Sequence, residues 1–192
     1  MRKLKIIENI SLDGVIQHSD DDGDFPYSDW TAPYRTAAGR DAMLAAHGES
    51  FDLLLGRRTY DLWSGFWPKV PSSPMANRIN AATKFVATNR PESLGWGPAE
   101  GLGPDIVKGV RRIKSGDGPD LILSGSSTLT STLLEHGVAD EVLLIVYPVL
   151  LGTGKRFFAE GTSAQAFELV GAEAMSSVTL NTFKVAGPLK TG

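Results

Sequence analysis

Twice in this chain a short apolar segment runs into a glycine and then directly into residues that suit a helix. The first instance is Asp52-Leu53-Leu54-Leu55-Gly56-Arg57-Arg58-Thr59-Tyr60. The second is Asp120-Leu121-Ile122-Leu123-Ser124-Gly125-Ser126-Ser127-Thr128-Leu129. A glycine at such a turn lets a ligand approach the backbone, and the free N–H groups of the following helix attract anions. Two such junctions, with Arg57 and Arg58 beside one of them, point to a bound dinucleotide phosphate.

The rest of the chain is that of an ordinary globular domain. Its 192 residues suit one domain spanning 1–192 with a sizeable core. A net charge of −3 argues against a broad nucleic-acid surface, because phosphate backbones require clustered cations. The absence of cysteine excludes a disulfide framework, an iron–sulfur cluster and thiol catalysis. The first residues are basic, but their apolar run stops at Glu8, too soon for a signal peptide. No stretch reaches the roughly 18 apolar residues of a membrane helix. The expectation is a cytoplasmic protein with no membrane partner.

Residues 3–10 read as a strand, 17–33 as a long polar loop and 35–47 as a helix stopped by Gly48. A strand at 52–56, a helix near 58–64, a short helix around 74–82 and a strand at 84–88 follow. Residues 91–104, rich in glycine and proline, read as a surface loop. Ile106, Val107, Val110 and Ile113 recur at helical spacing, so 104–115 is an amphipathic helix. A strand at 120–124, a helix at 126–136 and an apolar strand at 141–148 come next. Segments 167–170 and 177–185 then form an antiparallel pair. Alternating strands and helices followed by bare strands imply an α/β, mostly parallel mixed sheet with helices on both faces.

This order, with Leu-Leu-Gly-Arg-Arg-Thr-Tyr at 54–60 and Leu-Ser-Gly-Ser at 123–126, resembles the dihydrofolate reductase fold. Ser11-Leu12-Asp13-Gly14 and Pro148-Val149-Leu150-Leu151-Gly152-Thr153-Gly154, with Phe157 and Phe158 after it, bring it closer to the reductase domains of riboflavin biosynthesis. The resemblance implies a three-layer reductase domain that uses NADPH. It places Gly56, Arg57, Arg58 and Thr59 at the cofactor phosphates and Thr88, Asn89 and Arg90 at the adenosine ribose and its 2′-phosphate. It sets Ser124, Gly125, Ser126, Ser127, Thr128 and Leu129 around the pyrophosphate. Ile16 would cover the nicotinamide. Arginine offers bidentate donors to a phosphate dianion, which favours NADPH over NADH. The expected reaction is reduction of a small heterocyclic or carbonyl substrate, resembling that of 5-amino-6-(5-phosphoribosylamino)uracil reductase.

On the substrate side the resemblance is thinner. Dihydrofolate reductases carry a carboxylate on the helix before the Gly-Arg junction, and here that helix offers only Asp41, the candidate catalytic residue. Beside Arg40, Asp41 reads as facing solvent, which weakens folate as the substrate. Asp13, Trp30, Tyr147 and Gly152 are the candidate substrate-side residues, with turn formation for Asp13 and packing for Trp30 and Tyr147 as the competing roles.

Other patterns fail. Asp20, Asp22 and Asp24 begin with calcium-loop spacing, but Phe25 and Thr31 stand where a glycine and a bidentate glutamate are required. His18, His47 and His136 show no metal-ligand spacing. Gly152-Thr153-Gly154-Lys155 lacks the flanking residues of a P-loop, with Val149 and Arg156 in their places. A hydrolase with Ser126 or Ser127 as nucleophile lacks a placed base, since His136 lies at the far end of the same helix. Dihydrofolate reduction and a nucleotide-binding protein without turnover are the remaining alternatives. The apolar run 142–151 and uncovered last strands lead to the expectation of a homodimer.

Overall fold

The computed structural model describes residues 1–19 and 24–192. Asp20 and Asp22, which opened the calcium-loop pattern, lie outside the described residues. Eight strands form one sheet: β1 Leu4–Ile10, β2 Asp52–Gly56, β3 Lys84–Ala87, β4 Ala99–Gly101, β5 Leu121–Leu123, β6 Glu141–Val146, β7 Gln165–Met175 and β8 Val178–Pro188. Their order is β4-β3-β2-β5-β1-β6-β8-β7. The first six strands in that order run parallel, and β8 lies antiparallel between β6 and β7.

The sequence pattern explains the layering. Leu53–Leu55 and Leu121–Leu123 are apolar at every position and buried on both faces, as central parallel strands require. Five helices cover the sheet: α1 Ala37–His47, α2 Arg57–Phe66, α3 Pro74–Ala81, α4 Ile106–Ser115 and α5 Ser127–Glu135. Val110 and Ile113 of α4 and Leu129 and Leu133 of α5 pack with Leu4, Ile6 and Ile10 on one face. Met43 of α1, Tyr60 of α2 and Ile79 of α3 pack with Ile7 and Leu53 on the other. No helix among the described residues is long and apolar enough to cross a membrane.

Two expectations need correction. The loop expected at 91–104 contains β4, whose Ala-Glu-Gly has little strand propensity but pairs with β3 through the backbone. Its Gly101 is forced by packing, since a Cβ there would lie 2.8 Å from Pro91 Cβ. The apolar run 142–151 is mostly covered and leaves little surface of its own. β6 is an interior strand between β1 and β8, and Leu150 is the large apolar residue of the run left exposed. Exposed apolar side chains also lie on edge strand β7, at Leu169 and Val170. The terminal hairpin is longer than expected, with eleven residues in each strand.

Arg2 closes the end of the sheet opposite the helix-bearing turns. Its guanidinium is buried, pairs with Asp52 and donates to the Pro119 carbonyl, while Asp52 also accepts from the Thr83 N–H at 3.0 Å. Removing one partner of a buried pair leaves the other charge uncompensated. Arg2→Ala is therefore expected to lower the unfolding free energy by about 3 kcal/mol. Urea denaturation measures it, and a loss below about 0.5 kcal/mol would show the pair to be marginal.

Candidate cofactor and substrate cleft

The connectivity creates a crevice. The path β1–α1–β2 passes over β5 on one face of the sheet, and β5–α5–β6 passes over β1 on the other. Chains leaving β1 and β5 thus diverge to opposite faces, the position where open α/β sheets bind ligands. A cleft of about 1710 Å³ occupies this place.

Both glycine turns open into it and touch each other. A Cβ on Gly56 would meet Ser126 Oγ at 3.0 Å, and one on Gly125 would meet Thr59 Oγ1 at 2.9 Å. Gly125 and Ser126 both have positive φ, 69° and 62°, so the turn before α5 is strained at a non-glycine residue. Ser126 caps α5 by accepting from the Leu129 N–H. α2 starts at Gly56 without a side-chain cap, and neither helix has an acidic residue in its first turn. The two helix starts together present N–H donors to one side of the cleft.

Most expected cofactor residues converge here. Ile16, Gly56, Arg57, Arg58, Thr59 and all six residues Ser124–Leu129 line the cleft. Thr88, Asn89 and Arg90 do not line it, but Arg57 reaches toward them. Its Nη1 donates to Thr88 Oγ1 at 3.3 Å, to the Arg90 carbonyl at 3.2 Å and to Ser93 Oγ at 2.6 Å. Its Nε donates to both Asp61 carboxylate oxygens. The side chains of Asn89 and Arg90 are exposed beside this cluster.

The other arm of the cleft is aromatic and methionine-rich. Tyr34, Met43, Trp63, Trp67, Met75 and Met175 line it. Two buried ring nitrogens of lining residues, His18 Nε2 and Trp67 Nε1, have no hydrogen-bond partner among the described residues. Burial drives the His18 pKa down to about 4, so its ring is neutral. Tyr147 lines the cleft, donates to Asn9 Oδ1 at 3.1 Å and is held protonated by burial. Trp30 stands behind this wall, stacked on His18 at 4.9 Å with its Nε1 donating to the Gln17 carbonyl. Asp41 lies at the cleft rim with its side chain exposed.

Asp13 and Gly152 lie outside the lining and bind each other. Asp13 accepts from Ser11 Oγ and from the Leu151 and Gly152 N–H groups, which hold its pKa down at about 2. This clamp ties the turn after β1 to the loop after β6.

The sequence reading missed Glu8. It sits on β1 in the cleft floor, with its Oε2 accepting from the Gly125 N–H at 2.6 Å and its Oε1 from the Asn9 N–H at 3.1 Å. Burial pushes its pKa up to about 7, against the pull of those two donors. The available signal was a carboxylate interrupting an otherwise apolar strand, where Glu8 had served only to end a run.

A pH effect on stability follows. The folded pKa lies near 7 and the ordinary value is 4.5, so between them the native protein holds the extra proton. Stability is greatest below pH 4.5 for this group and is lost as pH rises through 7, by about 3 kcal/mol in full. Urea unfolding of wild type and Glu8→Gln from pH 4.5 to 8 is expected to show this loss in wild type alone. Parallel curves would contradict the buried carboxyl.

Residues 99–180 match the RibD C-terminal domain family. The Bacillus subtilis protein named Uncharacterized protein YyaP is 26% identical over 129 residues, covering 65% of this chain and 68% of that one. Two solved structures share the architecture at low identity. One is a diaminohydroxyphosphoribosylaminopyrimidine deaminase/5-amino-6-(5-phosphoribosylamino)uracil reductase of Thermotoga maritima, with TM-score 0.67 and 17% identity. It covers 96% of this chain, which spans only 57% of that longer one. The other is a pyrimidine reductase-like protein of Corynebacterium diphtheriae, with TM-score 0.63 and 12% identity, covering 96% and 92% of the two chains. The family match is confined to residues 99–180, and as a whole the chain has the dihydrofolate reductase-like fold that these solved structures share.

Proposed function

We propose that this protein is an NADPH-dependent reductase of a small heterocyclic or carbonyl substrate, of the reaction class of 5-amino-6-(5-phosphoribosylamino)uracil reductase. The observation that carries the reading is the contact between the two glycine turns, Gly56 against Ser126 and Gly125 against Thr59. It sets two helix starts and Arg57 and Arg58 around one cleft, a cradle suited to a dinucleotide with several phosphates. The chemistry of the donors fits: backbone N–H groups for the pyrophosphate and guanidinium groups for a 2′-phosphate.

Bound there, NADPH would supply a hydride equivalent. The residues of this chain then have separable tasks. Ile16, buried at the cleft wall, excludes water from the reacting ring. Asn9 and Tyr147 present an amide and a phenol to the floor, and the tyrosine hydroxyl holds a proton at neutral pH. The aromatic arm, lined by Tyr34, Trp63 and Trp67, favours a flat ring. Reduction of a C=N or C=O bond also consumes one proton, for which Tyr147 and solvent are the available sources. Asp41 is exposed at the rim rather than set among the residues of the aromatic arm, so dihydrofolate is the weaker substrate reading.

NADPH is expected to bind more tightly than NADH. Arg57→Ala should weaken NADPH by about 1.5–3 kcal/mol, roughly ten- to hundredfold, while changing NADH little. Fluorescence titration with both cofactors measures this, and equal affinities in wild type would contradict it.

The same reading extends to a homodimer. β7 is an edge strand whose exposed Leu169 and Val170 would be covered by a second copy. Sedimentation at micromolar concentration is expected to give twice the 20.6 kDa protomer mass, with Val170→Lys shifting it toward the monomer. A wild-type species of 20.6 kDa would refute the dimer.

A further inference from the structure

Among the described residues, three carboxylates line the cleft, Glu8, Asp41 and Glu160, and only Glu8 is buried. It is also the one that touches the phosphate cradle. Its Oε2 takes the N–H of Gly125, the central residue of the strained turn before α5. That donor points at the carboxylate, so a pyrophosphate seated on the turn and an ionised Glu8 compete for the same positive end of the loop.

The donors recorded on this carboxylate are the backbone N–H groups of Asn9 and Gly125. α5 brings only hydroxyls, from Ser127 and Thr128, and β6 brings the apolar Leu144 in register with Glu8. Arg57 and Arg58 on α2, and Lys155 and Arg156 on the loop after β6, line the same cleft. The pKa of Glu8 is set by burial and by the two backbone donors. A buried carboxylate bonded to the turn of an anion site, when ionised, repels the anion that arrives.

We propose that Glu8 is a proton-linked gate of the phosphate cradle, so that the dinucleotide is taken up together with a proton on Glu8. The inference rests on the cofactor reading above and deepens it. Neutral Glu8 leaves the turn free to present its donors to phosphate, whereas ionised Glu8 holds Gly125 and opposes the ligand. Glu8 thus acts as a positioning residue, through Gly125, rather than on the reacting atoms.

The sign is fixed. Raising pH above 7 ionises Glu8 in the free protein and must weaken binding, because the bound form has to recover the proton. The 2′-phosphate works in the opposite direction, since its second ionisation near pH 6 strengthens binding as pH rises. Between pH 7.5 and 8.5 it is already a dianion, and the guanidinium groups stay charged. His18 and His47 have pKa values driven down by burial, so they are neutral there.

Isothermal titration of NADPH at pH 7.5, in HEPES and in Tris, reads the proton inventory from the difference in heat between buffers of unlike ionisation enthalpy. Wild type is expected to take up roughly half a proton or more per NADPH, and its Kd to rise up to about tenfold from pH 7.5 to 8.5. Glu8→Gln should show neither effect. Wild-type binding without proton uptake overturns the proposal while leaving the cofactor reading intact, as does an uptake that persists in Glu8→Gln. No binding at any pH overturns both. Should Glu8→Gln fail to fold, 13C titration of the wild-type glutamate carboxyls decides. One resonance titrating near pH 7 is expected to move up by a unit or more with NADPH, and an unmoved resonance refutes the gate.

Discussion

The site depends on a close contact between two turns. A Cβ on Gly56 would press on Ser126, and one on Gly125 would press on Thr59, so that the neighbour would have to shift. These two approaches bring the ends of β2 and β5 together closely enough for α2 and α5 to start side by side. Everything proposed for the anion end follows from that spacing, because helix N–H donors and the macrodipole act only within about a turn of the helix start. Gly125 has a positive φ as well, so alanine there would meet both a backbone penalty and Thr59.

Electrostatics then divides the cleft. The α2 end carries Arg57 and Arg58, and Arg57 is oriented by Asp61, Thr88 and Ser93 rather than left to solvent. The opposite arm is aromatic, with a neutral histidine and a protonated tyrosine. Glu8 lies between the two. It is held at the strand end by two backbone donors, yet burial leaves it on the edge of ionisation at physiological pH. A cationic end and an apolar end meeting at a titratable floor is the arrangement expected of a site that joins a charged cofactor to a flat substrate.

Much of this was legible in the residues. Leu53–Leu55 and Leu121–Leu123 announced central strands by unbroken apolarity, and Gly56 and Gly125 marked the turns that follow them. Val110 and Ile113 gave α4 by spacing alone. β4 was not legible, because Ala-Glu-Gly carries no side-chain signal and its pairing is wholly backbone. The role of Asp13 as a clamp on Leu151 and Gly152 was equally hidden, since it joins segments 138 and 139 residues apart. Glu8 could not be placed because strand alternation does not say which end of a strand faces a ligand. That depends on where β5 ends beside β1.

The most direct test of the central claim is a crystal structure with NADPH bound. The account predicts the pyrophosphate at the starts of α2 and α5, the 2′-phosphate beside Arg57, and the nicotinamide ring between Ile16 and Asn9. A dinucleotide bound elsewhere, or with its phosphates turned toward the aromatic arm at Trp63 and Trp67, would contradict it.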